Sequence, residues 1–228
     1  MARTDTLPNF LTDVADAIRE KTGSRELIQA SDFDTEIASI ESGGDISEYF
    51  NTEMNNSTTS SRSAFLQVIK KIPPLNIRNI SELRNAFSYS SIEEVGKLTT
   101  TGISKTSSFQ SMFFECTKLK SVDLSGIDFS GAQVLTGMFN GCTSLTSLDL
   151  SNLNSSSITA MIGSFYNCKS LMRLDIRNQD FTYVTNVGDT FKGVPANCEI
   201  IVKDQANKEW ILNQRSDFTN IKTVAELE

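Results

Sequence analysis

The chain has 228 residues, a formal charge of -7 and no histidine, with a pI near 4.8. That charge balance gives no electrostatic footprint for a phosphate backbone or an anionic lipid surface, so nucleic acid and membrane are not expected partners. Without histidine the commonest general base, the Ser/His and Cys/His pairs and imidazole metal ligation are all missing, and catalysis is not expected. In chain order, 1–44 reads first as a separate helical unit. Within LPNFLTDVADAIREKTG, Phe10, Leu11, Val14, Ala17 and Ile18 share one helical face, with Pro8 near the start and Gly23 beyond the end. A second short helix fits 31–42, with Ser31 as its cap and Phe33, Ile37 and Ile40 as its apolar stripe. Two helices this short cannot bury both stripes alone. They are expected to attach the chain to a larger assembly or to further copies of itself, and a closed symmetric trimer is the favoured form.

Gly43 and Gly44 end this unit, and 45–63 reads as a linker containing the polar run NNSTTSSRS. A repeat follows over 64–203. Phe113, Phe139, Phe165 and Phe191 stand 26 residues apart, Cys116, Cys142 and Cys168 lie three beyond the first three, and Leu119, Leu145 and Leu171 three further on. Self-similarity at such a period predicts a solenoid of about five to six stacked coils. Shifting the frame places Phe87 under Phe113 and assigns one strand position to Ile72, Leu98, Leu124, Leu150, Ile176 and Val202. The pattern at Leu119, Val122 and Leu124, repeated at Leu145, Leu148 and Leu150, is that of a leucine-rich-repeat strand whose alternate residues point inward. The three cysteines in phase are expected as small buried hydrophobes, since side chains at strand spacing suit a disulfide poorly. Cys198 is out of phase.

An open solenoid needs terminal caps, and 204–228 supplies one candidate. A helix is predicted from DQANKEWILNQRS, with Asp204 as N-cap and Trp210 and Ile211 as apolar contacts, followed by a strand in DFTNIKTV.

The repeats around MFNGCTSLTSLDLS resemble the BspA-type leucine-rich repeats of bacterial and phage surface proteins, over about 69–204. The two flanks look like the ends of phage tail, baseplate or fibre proteins from Gram-positive hosts. The resemblance implies an α/β leucine-rich-repeat solenoid in a virion protein. Such a protein would join other virion proteins through its N-terminal region and show its repeats to a host-cell glycan or protein. The N-terminus carries no apolar signal segment, which fits assembly in the cytoplasm and release by lysis better than secretion of an adhesin. A head fibre or capsid decoration protein with a purely structural role, and a bacterial surface adhesin, are the rival readings.

Chemistry-bearing positions are few. Asp123, Asp149 and Asp175 recur at one strand position and should form an acidic ladder on the exposed sheet face. The ladder could recognise sugars, bind a divalent cation, or simply hydrogen-bond its neighbours, with Ser121, Ser125, Ser147 and Ser151 on the same face and Arg173 and Arg177 flanking Asp175. No DxDxDG loop is present, and neither a metal nor a cofactor is expected. Phe114 and Tyr166 follow the core phenylalanines of their coils, at a position where Asn140 and Lys192 stand in other copies. That tolerance of polarity marks them as candidate contact residues near solvent.

Overall fold

A computed structural model describes residues 70–72, 74–78, 83–101 and 108–228. Among the described residues ten short elements carry the coils and the C-terminal segment: β1 (Lys71–Ile72), β2 (Leu75–Arg78), β3 (Glu94–Thr101), β4 (Ser121–Gly126), β5 (Ser147–Asp149), β6 (Arg173–Asp175), β7 (Glu199–Val202), α1 (Gln205–Gln214), β8 (Ile221–Thr223) and a final 3-10 turn (Val224–Glu226). Every strand pairing is parallel. β1, β2 and β4 all pair with β3, and β5 to β8 form a second sheet in chain order. Across the seam between the sheets, the Asn152 side-chain amide donates to Leu124 O at 2.8 Å and Ile127 O at 3.0 Å. On another side of each coil, Ser108, Val134, Ala160 and Asn186 form a ladder of single parallel bridges at the same period. The chain is therefore a β-solenoid with a repeat of 26 residues.

Among the described residues the coils contain no helix, and α1 is the one α-helix. Over the described residues the α/β leucine-rich architecture expected for the coils is therefore a β-solenoid followed by one C-terminal helix. The physical reason is the return path. Between its strand and its bridge each coil turns through tight hydrogen-bonded corners, in which Phe139 N–H donates to Ser164 O and Phe165 N–H to Thr190 O of the following coil. These N–H groups are used between coils, so they cannot close helical turns within one.

Side-chain stacking gives the solenoid its core. Phe87, Phe113, Phe139, Phe165 and Phe191 are buried one above another, with successive ring centroids 5.1, 5.3, 6.2 and 5.6 Å apart and planes within 16° of parallel. Two backbone positions flank this column. Asn85, Ser111, Gly137, Gly163 and Asp189 form one row of positive φ, and Tyr89, Glu115, Gly141, Asn167 and Gly193 form another. The left-handed conformation costs a non-glycine residue about 1–2 kcal/mol, and the inter-coil hydrogen bonds hold it in place. At Gly141, with φ +78°, a Cβ would also come within 2.6 Å of the Glu115 carboxylate of the coil before.

The expected strand alignment holds in the later coils and slips in the first. Leu148 lies opposite Leu174, and Leu174 opposite Ile200. Ile72 does not lie beside Leu98: it pairs with Val95, and Leu75 takes the place beside Leu98. The dipeptide Pro73-Pro74 separates β1 from β2, and proline has no N–H to give a ladder. The expected helical pair in 1–44 and the linker 45–63 lie outside the described residues.

After the last coil, Asp204 caps α1 by accepting from Asn207 N–H at 3.0 Å. Trp210 stacks on Phe181 at 4.4 Å and meets Phe191 edge-on at 6.5 Å, while Phe218 closes edge-on against Phe191 at 5.9 Å. Arg215 ties the segment down by donating to Phe191 O at 2.9 Å and Val194 O at 2.6 Å. β8 pairs along β7.

Phe139 is fully buried in the middle of the aromatic column. Phe139→Ala is expected to cost about 3–5 kcal/mol of unfolding free energy, read by urea denaturation. A loss below about 1 kcal/mol would contradict a stacked, unyielding core.

Candidate functional site

The aspartate ladder is built by the strand alternation, with Asp149 opposite Asp175 in the parallel register and Lys97 opposite Asp123. Each carboxylate turns back on its own chain. Asp123 Oδ1 accepts from Ser125 N–H at 2.9 Å, Asp149 Oδ1 from Ser151 N–H at 2.8 Å, and Asp175 Oδ1 from Arg177 N–H at 3.3 Å. Hydrogen bonding from Ser125 holds the Asp123 carboxyl below its ordinary pKa, its side chain contributing first and its backbone N–H second. What the three copies share is a carboxylate that accepts from the backbone N–H two residues on.

The three aspartates are not equivalent. Asp123 and Asp149 are exposed, whereas Asp175 is buried. Arg177 grips Asp175 with its Nε at 2.9 Å and its terminal nitrogen on the other oxygen, a fork-to-carboxylate pairing. Arg173 lies 3.6 Å from the same carboxylate and pairs with Glu199, which Lys222 reaches at 2.6 Å. Lys222, by hydrogen bonding first and Arg173 by charge after it, keeps Glu199 below the ordinary carboxylate range, and Asp175 raises Arg177. Arg173, Asp175 and Arg177 therefore spend their hydrogen-bonding capacity on one another and on the last coil. Glu199 and Lys222 belong to this network and escaped the motif reading. The 26-residue step from Arg173 to Glu199 was a visible signal, but Lys222 enters from β8, outside the period.

Phe114 and Tyr166 are half-buried on the corner beside the phenylalanine column. Tyr89 meets Phe114 edge-on at 5.3 Å, and Lys192 Nζ lies 5.7 Å from the Tyr166 ring centroid. Both rings pack against the coil before or after them, so the structure brings them to a common edge with part of each ring facing solvent. The residues expected to mediate attachment, Phe10, Leu11, Val14, Ile18, Phe33, Ile37 and Ile40, lie outside the described residues.

All four cysteines are free thiols and buried. The three in phase do more than fill space. Cys116, Cys142 and Cys168 point their Sγ at the carbonyls of Phe87, Phe113 and Phe139 in the preceding coil, at 3.0, 3.1 and 3.2 Å. Ser90 stands in the same column one coil earlier, 3.2 Å from Cys116 Sγ. Burial pushes the thiol pKa up to about 11 in Cys116 and about 12 in Cys168 and Cys198, and well above its ordinary value in Cys142. Among the described residues no three His, Cys, Asp or Glu side chains converge as a metal site, and no helix is long and apolar enough to cross a membrane.

A parallel β-solenoid with a stacked apolar interior and repeated polar rows defines the chain as a repeat protein. Residues 79–203 match a family described as "Mycoplasma protein of unknown function, DUF285". The match spans more than half of the chain, which belongs to this BspA-like repeat family. Comparisons with curated proteins and with solved structures found no match.

The thiols yield a signed prediction. The folded state holds its thiol protons to higher pH than the unfolded chain, whose thiols ionise near pH 9. Their contribution is fully present below that value and is lost as pH rises towards 11 and 12. A thiol reagent at pH 8 should modify no cysteine in the native chain and all four in denaturant. The loss of stability above pH 9 should be shallower when Cys116, Cys142 and Cys168 are replaced by serine; an unchanged slope would contradict it.

Proposed function

We propose that the chain is a structural protein of a phage virion, in the tail, baseplate or a fibre, whose solenoid is a binding module that presents its surface to the host cell. The observation that carries this reading is a division of labour within each coil. The inner positions stack phenylalanine, leucine and cysteine into a continuous core, while an outer corner position varies from coil to coil, as Phe114, Asn140, Tyr166 and Lys192. Such a rod tolerates surface change at little cost to its fold, as a display scaffold must. The flanking sequences, which resemble those of phage tail, baseplate and fibre proteins, support the virion assignment.

In this reading α1 and β8 cap the last coil, with Trp210 as the lid over Phe181. The N-terminal 44 residues join the solenoid to other virion proteins and assemble it as a homo-oligomer, a trimer by preference. Asp123, Asp149, Phe114 and Tyr166 are exposed or half-exposed and offer contacts to a host glycan or protein.

Immunogold electron microscopy of particles, with an antibody against this chain, tests the reading. Gold at the tail tip is the expected outcome. Gold on the head would move the chain to a head fibre or decoration role, and gold confined to bacterial cells would overturn the virion assignment in favour of an adhesin. The assembly role is tested separately. Removing 1–44 should lower the oligomeric mass in light scattering to that of a monomer, and an unchanged oligomer would sink it.

A further inference from the structure

Over three successive coils the side of the solenoid formed by the single-bridge ladder carries no charged side chain before Asp189. The segments 129–137, 155–163 and 181–188 contain no Asp, Glu, Lys or Arg, although 21% of the chain is charged. They stack on one another through the bridges Val134 to Ala160 and Ala160 to Asn186, and through Thr159 N–H and Thr185 N–H, which donate to Gln133 O at 3.0 Å and Thr159 O at 3.1 Å. Asp128 and Asp180 stand at one margin, each folded back on the backbone N–H two residues on, at Ser130 and Thr182.

This side differs from the sheet face in what its side chains are doing. Gln133, Ser156, Ser157, Thr185 and Asn186 are exposed and make no side-chain hydrogen bond to any described residue. Tyr183 stands among them, 62% exposed. On the sheet face the later-coil groups are already engaged, Arg173, Asp175, Arg177, Glu199 and Lys222 with one another.

We propose that this uncharged side is a docking surface for a neutral polysaccharide, which deepens the host-attachment reading above and rests on it. Hydroxyls and primary amides both donate and accept, as sugar hydroxyls do. An exposed tyrosine supplies a rigid face and a polar tip for stacking on a sugar ring. The lack of charge matches a ligand that has none, and it leaves no ion to be desolvated on contact. A second copy of this chain fits less well. A self-association interface needs an apolar centre, and the large exposed apolar side chains here are Ile162, at 42%, and Tyr183.

Affinity electrophoresis of the full chain through gels containing dextran, mannan or galactan, with alginate as the anionic comparison, tests the proposal. Retardation by at least one neutral polymer is expected, with less than twofold change between low and high salt. Tyr183→Ala and, as a second exposed substitution, Thr185→Lys should each weaken it at least tenfold, whereas Lys169→Ala, an exposed position outside this side, should not. No retardation by any neutral polymer, salt-sensitive retardation by alginate alone, or loss with Lys169→Ala would each overturn the proposal. So would a concentration-dependent dimer abolished by Tyr183→Ala. Binding of the same proteins to host cells separates the two claims. If wild type binds cells and the Tyr183 and Thr185 variants bind equally well, the surface is wrong and attachment stands; if wild type binds no cells, the attachment reading itself fails.

Discussion

Everything in this molecule depends on the requirement that each coil sit at hydrogen-bonding distance above the last. Parallel strands and the corner hydrogen bonds impose that spacing on the backbone, and the interior side chains must then stack on their counterparts with no room to slide. A flat aromatic ring meets this demand well, because stacked rings separate by roughly the distance between strands. The five phenylalanines therefore do more than bury area. They lock the rotation of each coil on its neighbour, and the cysteine column beside them satisfies carbonyls that the tight corner leaves pointing inward.

The same constraint explains where the backbone is strained. A chain that reverses direction within a few residues while keeping its N–H groups aimed at the next coil must pass through left-handed conformations, and here it does so twice per coil. Glycine meets this need in some copies, while Asn, Ser, Asp, Glu and Tyr meet it in others. Their tolerance means that the corner is enforced by the stack around it more than by local preference, so a single corner residue is a weak predictor of the fold.

Charge is distributed with equal economy. At the C-terminal end of the sheet face, acids and bases neutralise one another in a chain running from Arg177 through Asp175, Arg173 and Glu199 to Lys222. On the bridge side 129–137, 155–163 and 181–188 hold no charged residue, and hydroxyls and amides face solvent. The charged groups at that end are thus committed to holding the last coils together, while Gln133, Ser156, Ser157, Thr185 and Asn186 on the bridge side are uncommitted. This difference separates structural polarity from polarity that is open to a ligand.

The sequence by itself determined the period, the inward set of phenylalanine, leucine and cysteine, and the N-cap of α1, because each of these is written as a local pattern repeated at equivalent positions. Equivalent positions in a stack meet nearly equivalent surroundings, so one good copy reads the others. The tertiary structure alone decided the helix-free return path, the slip that puts Leu75 in the place expected for Ile72, and the different fates of three aspartates at one strand position. These outcomes turn on neighbours supplied by another coil or by the terminal segment. Asp175 is buried because arginines and the last strands close over it, while Asp123 and Asp149, in the same motif, meet no such cover. A repeat discloses what its copies share, and the ends of the stack, where the copies stop being equivalent, must be read from the fold.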